Sequence, residues 1–264
     1  MKTDSVLASI IVPVFNEEKT VLKILKKLSK LKNNSSIEII VIDDGSKDNT
    51  YNILLDNKHL IDKLERNEKN SGKGFSVKKG INLSEGQYIL FQDADLEYDP
   101  EDFKKFFDLI NKFEPDLIIG SRFIYSEYTR SHNILNKFGN NFITLLFNLI
   151  YNTTFTDIYS CYACFKKNLL DANNLKSSGF EQHAEILSKV VTAGSKFYEV
   201  PINYNGRSHD EGKKIKLIQL LSEFSGEKGL LLGQYIDLSS SNTKLEKRIE
   251  LNQLKTGVLM SFCC

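Results

Sequence analysis

The segment Tyr88-Ile89-Leu90-Phe91-Gln92-Asp93-Ala94-Asp95-Leu96 decides how the rest of the chain is interpreted. Its first half is a short continuous apolar run, which is typical of a strand buried on both faces of a parallel sheet. Its second half places two carboxylates two residues apart, directly after that strand. Carboxylate oxygens suit Mg²⁺, which usually keeps substrate phosphates in its coordination shell. Asp93 and Asp95 are therefore a candidate metal site for a diphosphate.

Strand-like and helix-like patterns alternate along the chain. Short apolar runs predict buried strands, and the segments between them carry apolar residues at helical spacing. Asn16 is in position to be the N-cap of the first helix. This alternation predicts a mainly parallel sheet covered by helices on both faces, an α/β fold. We predict strands at residues 9–14, 37–42, 88–92, 116–120 and 197–204 and a weak one near Leu64, with helices after Asn16 and from about 48, 72, 100, 131 and 179.

Polar residues follow four of the predicted strands at the point where each strand ends. Ligands of open parallel sheets bind beyond the carboxyl ends of the strands. Because these ends meet at one edge of the sheet, we expect their side chains to converge on one site. The four sets are residues 15–17, 43–46, 92–95 and 120–122.

Each of these motifs also has a plain structural explanation. A single Asp-x-Asp pair is weak evidence for a metal, since a surface loop supplies one easily. Asp43-Asp44-Gly45-Ser46 could be a turn before a helix, or its acidic side chains could accept hydrogen bonds from a nucleobase or ribose. Asn70-Ser71-Gly72-Lys73-Gly74 lacks the P-loop pattern, and it is either a glycine-rich turn or a helix N-terminus near a diphosphate.

Basic residues lie in two polar loops of the second half. Arg122 and Arg130 flank one loop, while Arg207 and Lys213 belong to residues 206–214. Exposure to solvent would explain them simply, but arginine geometry also suits bidentate binding of a phosphate. The composition of the second loop indicates a segment that could close over an anionic ligand.

Composition narrows the class of protein. A formal net charge of +1 gives no electrostatic case for nucleic acid as a partner. Cys161-x-x-Cys164 has no second ligand pair for zinc, so we interpret these cysteines as reduced thiols. No signal peptide opens the chain, and no window reaches the roughly 18 apolar residues of a membrane span. We therefore expect a cytoplasmic protein, and a peripheral position at the inner face of a membrane is compatible with this expectation.

The predicted helix at 131–151 is amphipathic. We interpret its apolar face as packing against the core, and the alternative is contact with a membrane or a lipid tail. The residues that recur at helical spacing are Leu135, Phe138, Phe142, Leu145, Leu146 and Leu149.

As an ordered set, these motifs resemble the family 2 glycosyltransferases, and more closely the branch of dolichyl-phosphate mannose and glucose synthases. The resemblance covers about residues 8–216. It implies a GT-A (Rossmann-like) fold with one catalytic domain at 1–225, whose nucleotide-binding half is about 8–122 and whose acceptor half is about 123–225. A tail of unknown role follows at 226–264. The matching motifs are Pro13-Val14-Phe15-Asn16-Glu17, residues 43–46, Asn70-x-Gly72-Lys73-Gly74, residues 92–95, Gly120-Ser121-Arg122-Phe123, Gly139-Asn140, Thr156-Asp157, Cys161-Tyr162, Arg207-Ser208 and Glu211-Gly212-Lys213-Lys214.

The resemblance implies a role for each matching residue on the donor side. Asp93 and Asp95 would hold Mg²⁺ or Mn²⁺ on the diphosphate of a nucleotide-sugar donor. The residues expected around the nucleotide, together with these two aspartates, are Pro13, Phe15, Glu17, Asp44, Lys73 and Ala94.

The acceptor implied by the resemblance is a polyprenyl phosphate. Arg122, Arg130 and Lys213 would bind its phosphate, and Arg207 would lie near the phosphates of both substrates. Asp93, Asp95, Arg122 and Arg207 would then form the catalytic set. The chain departs from the branch at Glu97, where glutamine is common, and at Ala163, where a basic residue is usual.

The implied reaction is a metal-dependent, inverting transfer of a hexose from GDP-mannose or a UDP-hexose to the polyprenyl phosphate. One alternative is transfer to a hydroxyl of a saccharide, lipid or protein, which would need a general base. Others are a nucleotide-sugar-binding module without catalysis and a nucleotidyltransferase. The absence of tryptophan excludes the signature of processive polysaccharide synthases.

Overall fold

The computed structural model describes residues 6–124, 134–177, 179 and 182–206. Within these residues, seven strands form one sheet in the order β3-β2-β1-β4-β6-β5-β7. The strands are β1 (Ala8–Val14), β2 (Ile37–Asp43), β3 (Lys63–Arg66), β4 (Tyr88–Phe91), β5 (Leu117–Ser121), β6 (Ala163–Lys166) and β7 (Phe197–Pro201). The predicted α/β class is confirmed.

Helices connect the strands, as the periodicity of the sequence predicts. In the first of them, Val21, Ile24 and Leu28 are buried together with Leu25 and Leu31, so one apolar face packs on the sheet. The helices of the described part are α1 (Val21–Lys32), α2 (Thr50–Asp56), α3 (Lys73–Leu83), α4 (Phe103–Phe113), α5 (Ile134–Tyr151) and α6 (Gln182–Ala193).

The direction of the strands brings most of their carboxyl ends to one edge. Strands β1 to β4 pair in parallel, and β6 runs antiparallel to both β4 and β5. Because β6 is antiparallel to both of its neighbours, β5 runs in the same direction as β4 and β1. Strand β7 pairs in parallel with β5 and so shares this direction. The chain leaves β1 toward β2 and returns to β4 on the other side of β1. In open α/β sheets, ligands bind at such a change of direction, here between the ends of β1 and β4.

Strand β6 is missing from the sequence-based prediction. It has only four residues, Ala163–Lys166, and it lies at the end of a segment in which every residue from 158 to 162 is already buried. A continuous buried run contains no alternation that would mark where a strand begins. The antiparallel insertion therefore depends on tertiary pairing with β4 and β5, which local sequence does not report.

Two local predictions need correction. Asn16 is not a helix N-cap, because α1 begins at Val21 after Thr20. Asn16 instead has a left-handed backbone (φ 54°), and its side-chain Oδ1 accepts a hydrogen bond from the backbone N of Lys47 at 2.9 Å. The strand predicted at 197–204 ends at Pro201, although Tyr204 forms an isolated bridge with Tyr98.

Helix α5 buries only one of its two apolar faces. Ile143 and Phe147 are buried, in line with core packing. The other face contradicts the core prediction, because its large apolar side chains are 41% to 73% exposed; these are Phe142, Leu145, Leu146, Leu149 and Ile150. The side chains of Leu135 and Phe138 lie outside the described residues. None of the helices in the described ranges combines the length and apolarity that crossing a membrane requires.

Candidate active site

Hydrogen bonds tie the loops after β1 and β2 together at the shared edge of the sheet. The backbone N of Asn16 donates to Ser46 Oγ at 3.0 Å, and the backbone N of Glu17 donates to Thr50 Oγ1 at 2.9 Å. Asn16 and Leu96 both have positive φ (54° and 65°) without being glycine. Asparagine tolerates this conformation, whereas for Leu96 it is strained, and such strain often marks a functional loop.

Asp44, at the end of β2, fixes the loop that precedes α3. Its Oδ1 accepts hydrogen bonds from Asn67 Nδ2 (2.7 Å) and from the backbone N of Ser71 (3.0 Å), and its Oδ2 accepts one from the backbone N of Gly72 (2.9 Å). The carboxylate is 3% exposed. The structure therefore gives Asp44 a loop-positioning function in addition to the predicted contact with nucleobase or ribose, which stays a prediction.

Gly45 is required at this turn for two reasons. Its φ is +73°, a region that glycine enters without steric cost. A Cβ at this position would lie 2.8 Å from the backbone carbon of Lys69, so the loops after β2 and β3 could not approach each other as closely. The Asp43-Asp44-Gly45-Ser46 motif is thus a turn in close contact with its neighbour.

Lys73 and Asp93 form the central ion pair of the site. Lys73 Nζ, on the first turn of α3, lies 2.6 Å from Asp93 Oδ1 beyond β4, and their side chains are 33% and 21% exposed. Burial alone would raise the pKa of Asp93, but the Lys73 ammonium outweighs burial and lowers it. Burial would likewise lower the pKa of Lys73, and Asp93 reverses this effect. Both groups are therefore charged at neutral pH.

Cys161 also belongs to this cluster, which the sequence did not reveal. Its Sγ lies 3.9 Å from Lys73 Nζ, the group that pairs with Asp93. Burial and the Asp93 charge raise the pKa of Cys161, so it stays a thiol. The interpretation of both cysteines as free thiols is confirmed. Only Cys164 lies in the core away from the rim, by which we mean the edge of the sheet where the strand ends of the candidate site meet.

A buried tyrosine holds the start of the Asp93–Asp95 loop in place. Tyr162 Oη donates to Gln92 Oε1 at 2.7 Å, and Gln92 Nε2 donates to the carbonyl of Asp93 at 2.8 Å. Tyr162 is fully buried and packs against Tyr98, with ring centroids 4.8 Å apart. The Cys161-Tyr162 motif therefore positions the carboxylates that follow β4.

The end of the loop is anchored by Tyr204. Asp95 Oδ1 accepts a hydrogen bond from the backbone N of Glu97 at 3.1 Å, and Glu97 accepts one from Tyr204 Oη at 2.8 Å. The ring of Tyr204 lies 5.3 Å from the Arg122 guanidinium. Tyr204 thus connects the loop after β4 with the end of β5.

Arg122 is buried in an ion pair and is not a solvated surface residue. Its Nε and Nη2 donate to the two oxygens of Asp157 at 2.7 and 2.9 Å, and its side chain is 10% exposed. Asn140 Nδ2 also donates to Asp157, at 3.1 Å. Burial would lower the pKa of Arg122 and raise that of Asp157, but their mutual attraction reverses both effects. Sequence spacing gave no signal for this pair, whose members are 35 residues apart.

The remaining predicted site residues have the following positions. Pro13 and Phe15 are half-buried at the end of β1, and Glu17 is buried with its carboxylate accepting from Thr20 Oγ1 at 2.7 Å. Ala94 is buried between the two aspartates. Ala163 is fully buried in β6. Three predicted residues, Arg130, Arg207 and Lys213, lie outside the described residues.

Sequence comparisons place this chain in a known family. Residues 9–172, more than half of the chain, match the model of glycosyl transferase family 2. An uncharacterised protein of Methanocaldococcus jannaschii is 32% identical over 218 residues, which are 76% of this chain and 88% of the relative.

Two similar enzymes carry functional names. A dolichyl-phosphate beta-glucosyltransferase of Dictyostelium discoideum is 36% identical over 136 residues, which are 45% of this chain and 41% of that enzyme. A dolichol-phosphate mannosyltransferase of Pyrococcus furiosus is 26% identical over 209 residues, which are 78% of this chain and 58% of that enzyme. The matches thus span about half the length of these two enzymes.

Solved structures share the fold at low sequence identity. TarS of S. aureus (residues 1–349) has a TM-score of 0.56 and 18% identity, covering 97% of this chain and 83% of that one. Glucosyl-3-phosphoglycerate synthase of Mycobacterium tuberculosis, solved with Mn²⁺, uridine diphosphate and phosphoglyceric acid, has a TM-score of 0.59 and 16% identity over 88% of this chain and 78% of that one. The chain therefore belongs to glycosyl transferase family 2 and is a glycosyltransferase with the GT-A fold that its motifs predict.

Proposed function

We propose that this glycosyltransferase moves a hexose from a nucleotide diphosphate sugar to a polyprenyl phosphate, with inversion and with Mg²⁺ or Mn²⁺ at Asp93 and Asp95. The carrying observation is the convergence of two ion pairs on one rim: Lys73–Asp93 beyond β4 and Arg122–Asp157 beyond β5. The names of the Dictyostelium and Pyrococcus relatives supply the acceptor class. The domain division at 1–225 is part of the same proposal.

The residues beyond β4 fit a divalent cation bound together with a diphosphate. Asp93 already has a positive group at its carboxylate, the Lys73 ammonium at 2.6 Å. Among the described residues, no three His, Cys, Asp or Glu side chains are grouped as a complete metal site. The two aspartates would therefore hold the ion with oxygens of the diphosphate and water, which is the usual arrangement for Mg²⁺. The bound ion would neutralise charge on the leaving diphosphate.

Arg122 supports binding of the acceptor phosphate through its fixed charge. The Asp157 carboxylate holds the guanidinium in one orientation and keeps it protonated. A guanidinium has five N–H donors, so it can serve a phosphate and a carboxylate together. We expect Arg130 and Lys213 to complete the phosphate site.

The reaction needs little proton transfer. An ionised phosphate oxygen of the acceptor attacks the anomeric carbon and forms the new C–O bond. The bond from that carbon to the donor diphosphate breaks, and the electron pair leaves with the nucleoside diphosphate. Because the acceptor is already an anion, no general base has to remove a proton. Lys73 would stabilise the charge that develops on the leaving group.

A hydroxyl acceptor is the second candidate, and Ala163 favours it. The branch that the sequence resembles usually has a basic residue at this position, whereas Ala163 is fully buried in β6 and carries no charge. One cation for the acceptor phosphate is therefore missing. A saccharide, lipid or protein hydroxyl would not require it.

The deciding experiment measures release of nucleoside diphosphate from GDP-mannose, UDP-glucose and UDP-N-acetylglucosamine, with Mg²⁺ or Mn²⁺ and with or without a polyprenyl phosphate. We expect one donor to be used, with release that depends on the lipid phosphate. Nucleoside diphosphate release that does not depend on the polyprenyl phosphate would favour a hydroxyl acceptor. Binding without release across an acceptor panel would contradict the catalytic proposal, and pyrophosphate release would indicate a nucleotidyltransferase.

Peripheral contact with a membrane is part of the proposal, through the exposed face of α5. Its apolar side chains recur at helical spacing, and Lys137 is the one charged residue in the 18 residues of α5. A helix with this pattern suits the interface of a lipid bilayer, where a polyprenyl acceptor would lie. The same contact would keep a cytoplasmic enzyme at the inner face of the membrane.

Replacing Leu149 and Ile150 together with glutamine should weaken binding to vesicles of mixed neutral and anionic phospholipids by roughly tenfold, since each loses apolar area at the interface. Co-sedimentation measures this. The matched control is Leu55→Gln on α2, whose side chain is also exposed (45%) but lies outside the α5 face. Equal sedimentation of wild type and the double variant would contradict the membrane contact.

A further inference from the structure

Lys137 is the only charged residue of α5, and it lies close to Arg122 at the end of β5. Both side chains lie against the ring of Phe123. The ring centroid is 5.7 Å from Arg122 Cζ and 5.9 Å from Lys137 Nζ. Because aromatic faces attract cations, this ring keeps both positive groups in one small area of the rim.

The side of α5 that carries Lys137 also faces the Arg122–Asp157 pair. Asn140, three residues after Lys137, is buried, and its Nδ2 donates to Asp157 Oδ1 at 3.1 Å. Residues three apart on a helix lie on the same side of it. Lys137 is therefore on the side of the helix that contacts this ion pair, in agreement with the position of its ammonium against Phe123.

Lys137 supplies a net charge that the ion pair lacks. Arg122 Nε and Nη2 donate to Asp157, so guanidinium and carboxylate neutralise each other, and Nη1 donates to none of the described residues. Lys137 is exposed and forms no ion pair or hydrogen bond within the part of the chain that the structure describes. An anion that meets Nη1 would therefore find its uncompensated positive partner in the Lys137 ammonium.

A phosphate on a lipid chain complements this arrangement. Phosphate oxygens accept hydrogen bonds from several donors at once, and the flexible four-carbon stem of Lys137 allows its ammonium to move toward a ligand at Arg122. The exposed apolar face of α5 begins at Phe142, just beyond Lys137 along the helix. An isoprenoid chain along that face would place its phosphate near the two cations.

We propose that Lys137 binds the acceptor phosphate together with Arg122 and supplies the positive charge that Ala163 does not. This inference rests on the proposed function, because it requires a polyprenyl-phosphate acceptor. Asp157 holds the guanidinium in place, while Nη1 of Arg122 and the Lys137 ammonium bind oxygens of the phosphate. The uncharged Ala163 then no longer favours a hydroxyl acceptor.

Two variants of Lys137 separate its charge from its bulk. Lys137→Met removes the charge at similar length, and Lys137→Arg keeps the charge. We expect Lys137→Met to raise the KM for a short, water-soluble isoprenyl phosphate by about 5- to 10-fold, while Lys137→Arg and the KM for the nucleotide sugar stay within about twofold of wild type. Release of nucleoside diphosphate measures this. Since no vesicles are present, attraction to an anionic membrane surface does not contribute.

Lys112→Met is the matched control. Lys112 is also exposed and lies over a phenylalanine ring, with its Nζ 5.0 Å from the centroid of Phe113. It belongs to the last turn of α4, before β5 begins, whereas Arg122 follows the end of β5. We therefore expect this control to leave the KM for the isoprenyl phosphate unchanged.

Inorganic phosphate, used as a competitor, distinguishes a lipid phosphate from a free one. Its inhibition constant should lie at least about tenfold above the KM for the isoprenyl phosphate, and equal values would assign the two cations to free phosphate and overturn the proposal. An unchanged KM in Lys137→Met, or an equal rise in the control, would also overturn it. If wild type did not respond to the isoprenyl phosphate at all, the proposed function would fail and this inference with it. Thermal unfolding by circular dichroism checks that each variant folds.

Discussion

Asp95→Asn should lower kcat/KM by about 10³-fold or more, the largest effect expected from a single substitution in this chain. The amide keeps an oxygen that can accept the hydrogen bond from the backbone N of Glu97, so the turn after β4 can persist. What is lost is one of the two negative charges that would hold the metal. Without the metal, the charge on the departing diphosphate is not neutralised, and the barrier to breaking its bond rises.

The measurement is release of nucleoside diphosphate with the donor that wild type uses, over a range of Mn²⁺ concentrations. Glu101→Gln is the matched control, since Glu101 is an exposed carboxylate that pairs with Lys104 on the surface. We expect this control to keep full activity. Direct binding should also change: Mn²⁺ should strengthen nucleoside diphosphate binding to wild type but not to Asp95→Asn. Turnover by Asp95→Asn within tenfold of wild type would contradict the metal role.

Sequence alone predicted that the motifs after β1, β2 and β4 would meet at one edge of the sheet, and there is a physical reason. Each of these motifs directly follows a parallel strand, and β1, β2 and β4 are neighbours or next neighbours in the sheet. Once three buried runs identify parallel strands, their carboxyl ends must meet, so Asp44 and Asp93 are brought to one edge by topology. For these residues, the local sequence pattern that identifies each strand also determines where its end lies in the fold.

The other half of the site depends on contacts that no local pattern encodes. Arg122 and Asp157 are joined through an antiparallel strand, β6, that is too short and too uniformly buried to be predicted. The contact of Cys161 with Lys73 crosses 88 residues of sequence. Apolar spacing in α5 identified a helix correctly but not which of its two apolar faces would be covered. The spacing of apolar residues shows that a helix face is apolar. Whether that face is buried depends on which other elements pack against it.

Asp157→Leu should lower the free energy of unfolding by about 3–5 kcal/mol, because it leaves the Arg122 guanidinium buried without its counter-ion. The structural basis is the pair of hydrogen bonds from Arg122 Nε and Nη2 to the two Asp157 oxygens, at 2.7 and 2.9 Å. The side chain of Arg122 is 10% exposed and that of Asp157 is fully buried. Asn140 loses a hydrogen-bond acceptor in the same variant. Urea unfolding at pH 7 measures the change. Glu65→Gln, which breaks the exposed pair with Lys79, should cost less than about 1 kcal/mol.

The pH dependence of the same experiment has a definite sign. Asp157 has a lowered pKa in the folded protein, so its contribution to stability is fully present above its unfolded pKa of about 3.9. It is lost as the pH falls from there through the folded pKa. When the pH is lowered from 5 to below the folded pKa of Asp157, the free energy of unfolding should therefore fall further for wild type than for Asp157→Leu. Parallel pH profiles for the two proteins would contradict the pairing.

A double variant separates the structural role of Arg122 from its proposed role with the acceptor. Arg122→Met combined with Asp157→Leu removes both charges, and apolar residues of similar size can replace a buried pair with little loss of stability. We expect the double variant to regain most of the free energy of unfolding that Asp157→Leu loses. It should nevertheless have a KM for the polyprenyl phosphate raised by tenfold or more, since a guanidinium contact to a phosphate is charge-assisted. If both stability and KM returned to wild-type values, Arg122 would be a structural residue only, and the acceptor phosphate would have to be bound elsewhere.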